Sequence, residues 1–170
     1  QALEEVRESK SLSDARIEDA RFVLRQIDAV GPTQEDYDEL VSALRKSENA
    51  ELLARVTSEA SAALSDEGGA LDALNGAVAL IEDGTKADAS LAKHVEALRE
   101  ALFTVEDVAH EIASYQDAID LDVSELEFMQ ERVSAYQSLM RSYGPALEDV
   151  IAKADEARRS IEMVDHAQET

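Results

Sequence analysis

The sequence feature that most constrains the fold is an apolar spacing that continues across a helix-breaking pair. In the stretch LMRSYGPALEDVIAKA, residues 139–154, apolar side chains keep the three- and four-residue spacing of one helix face, yet Gly144 and Pro145 stand inside it. Proline lacks the N–H that a helix interior requires, so the pair predicts a kink or a short break. The unbroken spacing predicts that the helices on both sides bury the same face.

The two ends of the chain carry matching heptad patterns. The first has apolar a and d positions, except for Lys10 and Ser13, until Gly31 and Pro32 end it; the apolar members are Leu3, Val6, Ile17, Ala20, Leu24 and Ile27. The second pattern consists of Leu147, Val150, Ala154, Ala157, Ile161 and Val164. Sustained a/d spacing is typical of coiled coils. Residues 1–30 and 146–170 are therefore predicted to be the paired arms of an antiparallel coiled-coil stalk.

Residues 31–145 are predicted to form a helical tip region of shorter helices. Four positions carry helix-start signals, namely Thr33 with Asp36, Asn49, Asp88, and Ser124 with Glu127. The DEGG at 66–69 predicts a turn, and Gly84 is predicted to close a helix in the left-handed conformation. The helix that begins at Asp88 is expected to be the longest internal one. No segment has the pattern of a strand, so the predicted fold class is all-α and elongated.

Charge and composition exclude several functions. The chain has 38 acidic and 16 basic residues, and 24 of the acidic but only 8 of the basic residues fall in 31–145. Such a chain should repel a DNA backbone and an anionic membrane surface. The absence of cysteine excludes disulfides and thiolate sites. With no signal peptide and no apolar run near the roughly 20 residues of a membrane span, a cytoplasmic location is expected.

No residue constellation indicates catalysis or metal binding. The segment HEIAS at 110–114 begins like a zinc-binding HExxH helix, but Ser114 stands where the second histidine is required. We interpret His94, His110 and His166 as surface residues. No GxxxxGK[ST] loop occurs, and the many carboxylates form pairs by chance. The predicted catalytic, cofactor-binding and metal-binding residues are accordingly none, and no cofactor is expected within this chain.

Two groups of side chains have both a ligand-binding and a structural interpretation. One is an aromatic and methionine set at helical spacing, comprising Phe103, Tyr115, Phe128, Met129, Tyr136 and Tyr143. A core role is favoured over a ligand pocket for this set. The other group is Arg21 and Arg25, for which pairing with Glu18 and Asp28 along a helix flank is favoured over anion binding.

Three segments resemble the middle region of the bacterial RecN family, short-armed members of the SMC superfamily. They are RFVLRQIDAVGPTQEDYDEL at 21–40, NAELL at 49–53 and SYGPALEDVIA at 142–152. The resemblance rests on Arg21, Phe22, Leu24, Gly31, Tyr143, Gly144 and Pro145. It implies that the chain is the coiled-coil region of a protein that repairs DNA double-strand breaks and is associated with the nucleoid.

The resemblance also implies partners and cofactors for regions outside this chain. ATPase heads, absent from residues 1–170, would bind ATP and magnesium and engage DNA. The coiled-coil region would mediate self-association and contact the RecA recombinase. Because the chain starts at Gln1 and both ends lie within helical patterns, a piece of a longer protein is expected.

Two rival interpretations stay open at this point. A free-standing helical bundle, such as a spectrin-like adaptor or scaffold, has the same heptads without any head. An enzyme built on a helix bundle has no supporting residues. A Walker A motif upstream, with a signature motif and Walker B downstream, would decide for the RecN interpretation.

Overall fold

The computed structural model describes residues 1–169, with side chains described through residue 167. It contains six α-helices and one short 3₁₀ helix, and no strand occurs between residues 1 and 169. The α-helices are α1 Ala2–Val30, α2 Gln34–Ser65, α3 Ala70–Gly84, α4 Ala92–Asp117, α5 Val123–Tyr143 and α6 Leu147–Glu169, and the 3₁₀ helix Ala89–Leu91 precedes α4. The predicted all-α fold class is confirmed. Thr170, the last residue of the predicted second arm, lies outside the described residues.

The chain divides into two compact units. Residues 1–45 and 123–170 form the first unit, and residues 46–122 form the second. The chain passes between the units within α2 and again just before α5. The separate proposal of arms at 1–30 and 146–170 around a tip at 31–145 stays a prediction.

The core of the first unit joins α1, α5 and α6. Its buried members are Val23, Ile27, Tyr136, Leu139, Leu147, Val150, Ala154 and Ala157. Tyr37 and Leu40 from the first turns of α2 pack against this cluster, and the Tyr37 and Tyr136 rings lie 5.0 Å apart. Tyr136 and Val150 are both 0% exposed, which places them at the centre of the core.

The first heptad pattern is buried over only half of its length. Ile17 and Ile27 of this pattern are buried, Ala20 and Leu24 pack against the core, and α1 packs on α6. Leu3 and Val6 are instead 74% and 65% exposed, so the prediction of a buried seam was wrong for them. The polar Lys10 and Ser13 separate the two halves of the pattern. A heptad specifies an apolar face but not its partner, and no residue that the structure describes covers Leu3 and Val6.

The end of α1 and the start of α2 follow the predicted signals. Gly31 adopts the left-handed conformation with φ 64°, and its N–H donates to the Ile27 carbonyl at 2.9 Å. A glycine is favoured there because it has no Cβ. The Thr33 hydroxyl accepts a hydrogen bond from the Asp36 N–H at 3.1 Å, which caps α2 as predicted.

Three helix boundaries differ from the prediction. Asn49 lies inside α2 and starts no helix, so α2, with 32 residues, is longer than the helix after Asp88. No glycine or proline interrupts residues 34–65, and asparagine inside a helix costs only about 0.7 kcal/mol at most. Gly84 is not left-handed, because α3 continues to it and Thr85 donates to Ile81 at 3.1 Å. Ser124 lies within the first turn of α5, which begins at Val123.

The second unit contains a hairpin of α3 and α4. The predicted DEGG turn precedes α3, and Asp88 caps the 3₁₀ helix that leads into α4. The hairpin buries Val78 of α3 together with Val95, Leu102 and Ala109 of α4. An ion pair from Arg99 Nη2 to Glu82 Oε1, 2.6 Å long, joins the two helices on their exposed side.

Candidate functional surfaces

The joint between α5 and α6 is a complete break rather than a bend. α5 ends at Tyr143, and α6 begins at Leu147. The Gly144 N–H still donates to the Met140 carbonyl at 3.1 Å, so the last turn of α5 is closed in the helical manner. Gly144 itself has φ 149°, in the half of conformational space that favours glycine. The break therefore depends on the glycine as well as on Pro145.

Asp149 holds the far side of the break. Its Oδ2 accepts the Ala146 N–H at 3.1 Å, and its own N–H donates to the Ala146 carbonyl at 3.1 Å. A Cβ at Gly144 would lie 2.3 Å from the Asp149 Cβ, closer than real Cβ contacts. The two residues are therefore packed as a unit. Sequence reasoning missed Asp149, although a carboxylate three residues after the residue that precedes a helix, here Ala146, is a capping signal.

The apolar face continues across this break. Met140 and Tyr143, before it, and Leu147 and Val150, after it, all pack in the one core cluster with α1. The prediction that the chain is broken while the buried face is kept is therefore confirmed. The C-terminal end of α1 also contacts α5, because Arg132 Nη1 donates to the Val30 carbonyl at 3.5 Å. The Tyr143 hydroxyl lies 3.4 Å from Gln26 Oε1.

The aromatic and methionine set is only partly buried. Met129 and Tyr136 are buried in α5, and Tyr143 is half-buried, as a core role predicts. Phe103, Tyr115 and Phe128 are 65%, 52% and 62% exposed. The core interpretation was wrong for these three residues. They lie out of phase with the apolar positions that α4 and α5 bury, which is the signal that could have revealed their exposure.

The three histidines are exposed on helix surfaces. His94 and His110 are exposed on α4, and His166 is exposed on α6. Within the described part of the chain, no group of three or more histidine, aspartate or glutamate side chains could hold a metal ion. The prediction that this chain has no metal site stays a prediction.

The only glycine pair of the sequence, Gly68 and Gly69, forms a turn whose donors are already used. The Gly68 N–H donates to Asp72 Oδ2 at 2.8 Å, and the Gly69 N–H donates to the Asp66 carbonyl at 2.8 Å. A phosphate-binding loop needs free backbone N–H groups and a nearby cation. Here a carboxylate occupies the position in which an anion would bind.

The arginine flank forms one of the two predicted pairs. Arg21 Nη1 lies 3.5 Å from Glu18 Oε1, in an exposed pair of the expected spacing. Asp28 pairs instead with Arg158 of α6, at 2.7 Å. This second ion pair links α1 to α6, so Asp28 supports the packing of these two helices.

The carboxyl of Asp88 has a lowered pKa. Hydrogen bonds from the Ser90 hydroxyl at 2.7 Å and the Ser90 N–H at 3.0 Å hold the pKa of the Asp88 carboxyl below its ordinary value. The carboxylate is fully exposed and caps the turn before α4. Its role is that of a helix cap, because both donors belong to that turn.

Between residues 1 and 169, no helix combines the length and the apolar character that crossing a bilayer requires. No protein-family model matches the chain. Individual relatives do match it, among them several bacterial DNA repair proteins named RecN.

The RecN protein of Halalkalibacterium halodurans is 25% identical over 146 residues, which cover 86% of this chain and 26% of the relative. The protein of Bacillus subtilis is 23% identical over 96% of this chain and 28% of its own length. That of Mycobacterium leprae is 30% identical over 85% of this chain and 26% of its length. The chain thus spans about a quarter of the length of these curated relatives. The resemblance inferred from the sequence is confirmed, because these three proteins named RecN match the chain along 85% to 96% of its length.

Proposed function

We propose that this chain is the non-catalytic coiled-coil region of a RecN-like protein that acts in DNA double-strand-break repair. The observation that carries the proposal is the similarity to DNA repair proteins named RecN along 85% to 96% of the chain. That similarity also favours this role over a free-standing adaptor, because none of these relatives is named as one. ATP, magnesium and DNA would be bound by ATPase heads outside residues 1–170.

The part played by this chain would be association. The first half of α1 presents apolar heptad side chains to solvent, with Leu3 and Val6 at 74% and 65% exposed. Exposed apolar heptad positions are favourable to bury against another helix. This surface supports self-association of the coiled-coil region, with RecA as a second expected partner.

Self-association is tested by sedimentation equilibrium over a wide range of protein concentration. The chain should shift from monomer to dimer, and replacing Leu3 and Val6 with serine should weaken the dimer. The matched control replaces Lys10 and Ser13 with alanine on the same face. A chain that stays monomeric at its highest soluble concentration would contradict the association role.

The proposal that ATP and DNA bind to the heads and not to this chain is tested by calorimetry and gel retardation. Titration of ATP and magnesium into this chain should release no binding heat, because the turn at Gly68 and Gly69 has its donors occupied. Duplex DNA should not be retarded at physiological salt, because the formal net charge is −22. Tight, salt-sensitive DNA binding would place DNA contact in this chain instead of the heads.

RecA contact is tested by surface plasmon resonance with the chain immobilised and RecA in solution. Binding that survives an excess of free chain would be non-specific and would remove RecA from the proposal.

A further inference from the structure

Phe103 is an aromatic side chain exposed on the outer face of α4. Val95, Leu102 and Ala109 are the buried residues of this helix, which packs on α3, and Phe103 follows Leu102 by one position, or about 100° around the helix axis. Its side chain is 65% exposed. An aromatic ring in this position contributes little to the packing of its own unit and is available to a partner.

Carboxylates surround Phe103 on the same helix face. Glu100 and Glu106 lie three residues before and after it, Asp107 lies four residues after it, and Glu96 lies one further turn away. All four are exposed. Among the described residues, no cation pairs with any of these carboxylates. The nearest cation on this face is Arg99, which is paired with Glu82 at 2.6 Å.

We propose that this face, which we call the Phe103 surface and define as Glu96, Glu100, Phe103, Glu106 and Asp107, docks a basic segment of another protein. An apolar side chain of the partner would cover the ring, and lysine or arginine side chains would pair with the free carboxylates. Arginine also binds favourably over an aromatic ring. The surface therefore has an aromatic anchor with a charged rim, as in many protein interfaces.

The charge of the second unit argues against another copy of the same surface as the occupant. Residues 46–122 contain 17 acidic and 5 basic residues. Two such surfaces face to face would bring unpaired carboxylates together, which is unfavourable. A basic partner removes that repulsion. Docking at this surface does not depend on the proposed role in DNA repair.

The probe is a synthetic amphipathic helical peptide of lysine and leucine, labelled for fluorescence anisotropy and titrated with the whole chain at physiological salt. Phe103→Ala should weaken binding about tenfold, the usual loss for an interface anchor. The matched control is Phe128→Ala, because Phe128 is 62% exposed and also lies near carboxylates on α5. This control should change the affinity less than about twofold.

A second pair of variants separates the surface from general charge attraction. Glu100→Gln with Asp107→Asn removes two charges beside Phe103, and Glu127→Gln with Glu131→Gln removes two beside Phe128. The first pair should weaken peptide binding and its dependence on salt more than the second. A peptide of glutamate and leucine should not bind.

Equal losses from the two phenylalanine variants, or from the two charge pairs, would overturn the proposal and indicate non-specific attraction. A concentration-dependent dimer of the chain that Phe103→Ala abolishes would also overturn it, because the occupant would then be a second copy. Both phenylalanines are exposed, so circular dichroism should show parental helicity for every variant.

Discussion

Leu147→Asp is the sharpest test of the buried face that crosses the break. Leu147 is the first residue of α6 and only 3% exposed, within the cluster that contains Ile27, Tyr136 and Val150. The substitution removes a buried side chain and places a carboxylate among apolar groups. The matched control is Leu3→Asp, because Leu3 is 74% exposed near the start of α1.

The size of the effect follows from burial. Removing a buried leucine side chain costs about 2–5 kcal/mol, and an unpaired buried charge adds to that cost unless the carboxyl is protonated. We expect a loss of about 4 kcal/mol or more, a large part of the 5–15 kcal/mol by which proteins are typically stable. At about 2–4 °C per kcal/mol for a chain of this size, the melting temperature should fall by roughly 10 °C. Leu3→Asp should change stability by no more than about 0.5 kcal/mol.

Two probes are needed because the two compact units can unfold separately. Circular dichroism at 222 nm, the standard helix wavelength, reports all of the helices. Tyrosine fluorescence reports mainly the first unit, because Tyr37, Tyr136 and Tyr143 lie in it and only Tyr115 lies in the second. The fluorescence transition of Leu147→Asp should move to lower temperature.

The companion variant is Pro145→Ala, which restores a backbone N–H at the break. It should leave the melting temperature nearly unchanged, because the fold there also depends on Gly144 and Asp149. A Leu147→Asp protein with the same melting temperature as the Leu3→Asp protein would refute the continuous buried face. The Gly-Pro pair would then be an ordinary loop between independent helices.

Three further variants test local features. Gly144→Ala should lower stability by about 1–3 kcal/mol because of its φ of 149° and the crowding by Asp149. Gly76→Ala, inside α3 with open space around it, should instead raise stability by about 0.5–1 kcal/mol. Urea unfolding measures both changes, and equal effects would contradict the structure of the break. Asn49→Ala should raise stability by a few tenths of a kcal/mol in the same assay, because Asn49 is inside α2; a loss of about 1 kcal/mol would restore Asn49 as a cap. Asp88→Ala should destabilise at neutral pH, and because the pKa of Asp88 is lowered in the folded chain, its contribution is present above the unfolded-state pKa and is lost as the pH falls through the folded-state pKa. Urea unfolding at several pH values should show the difference from the parent shrinking in acid, and a difference independent of pH would refute the cap.

Local signals were the most predictable part of the fold. Gly31 and Thr33 each act through their own backbone neighbours, so the sequence is enough to place the end of α1 and the start of α2. Asn49 failed because asparagine is tolerated inside a helix as well as favoured at its start. A cap signal is decisive only where a glycine or proline also prevents the preceding helix from continuing.

The sequence predicts which residues form an apolar helix face better than it predicts which element covers that face. The heptad pattern correctly identified Ile17, Ile27 and Leu147 as buried, but the same pattern included the exposed Leu3 and Val6. Periodicity describes the apolar face of one helix, whereas burial requires a second helix that packs beside the same residues. The exposure of these two residues is therefore a property of the assembled chain, and it leaves an apolar surface that the proposed self-association would cover.

Phe103 shows the corresponding limit for a candidate site. The α4 positions Val95, Leu102 and Ala109 already occupy the buried face, so an aromatic residue one position after Leu102 could have been predicted to face outward. Phe103 is a candidate anchor because the carboxylates of Glu100, Glu106 and Asp107 lie around it and form no ion pair within the described chain. Composition alone describes those carboxylates as part of a solvated acidic surface.

The break between α5 and α6 combines both kinds of information. Gly144 and Pro145 predict the helix break from the local sequence, but the contact of Gly144 with Asp149 depends on the conformation of the whole turn. Because that contact leaves no space for a Cβ, the glycine is required by packing as well as by its φ angle. Leu147 and Val150 are buried immediately afterwards, so the turn must deliver them to the core in a single orientation. A longer or more flexible loop would interrupt the helix equally well, but it would not by itself impose that orientation, which explains why the interruption is short and tightly packed.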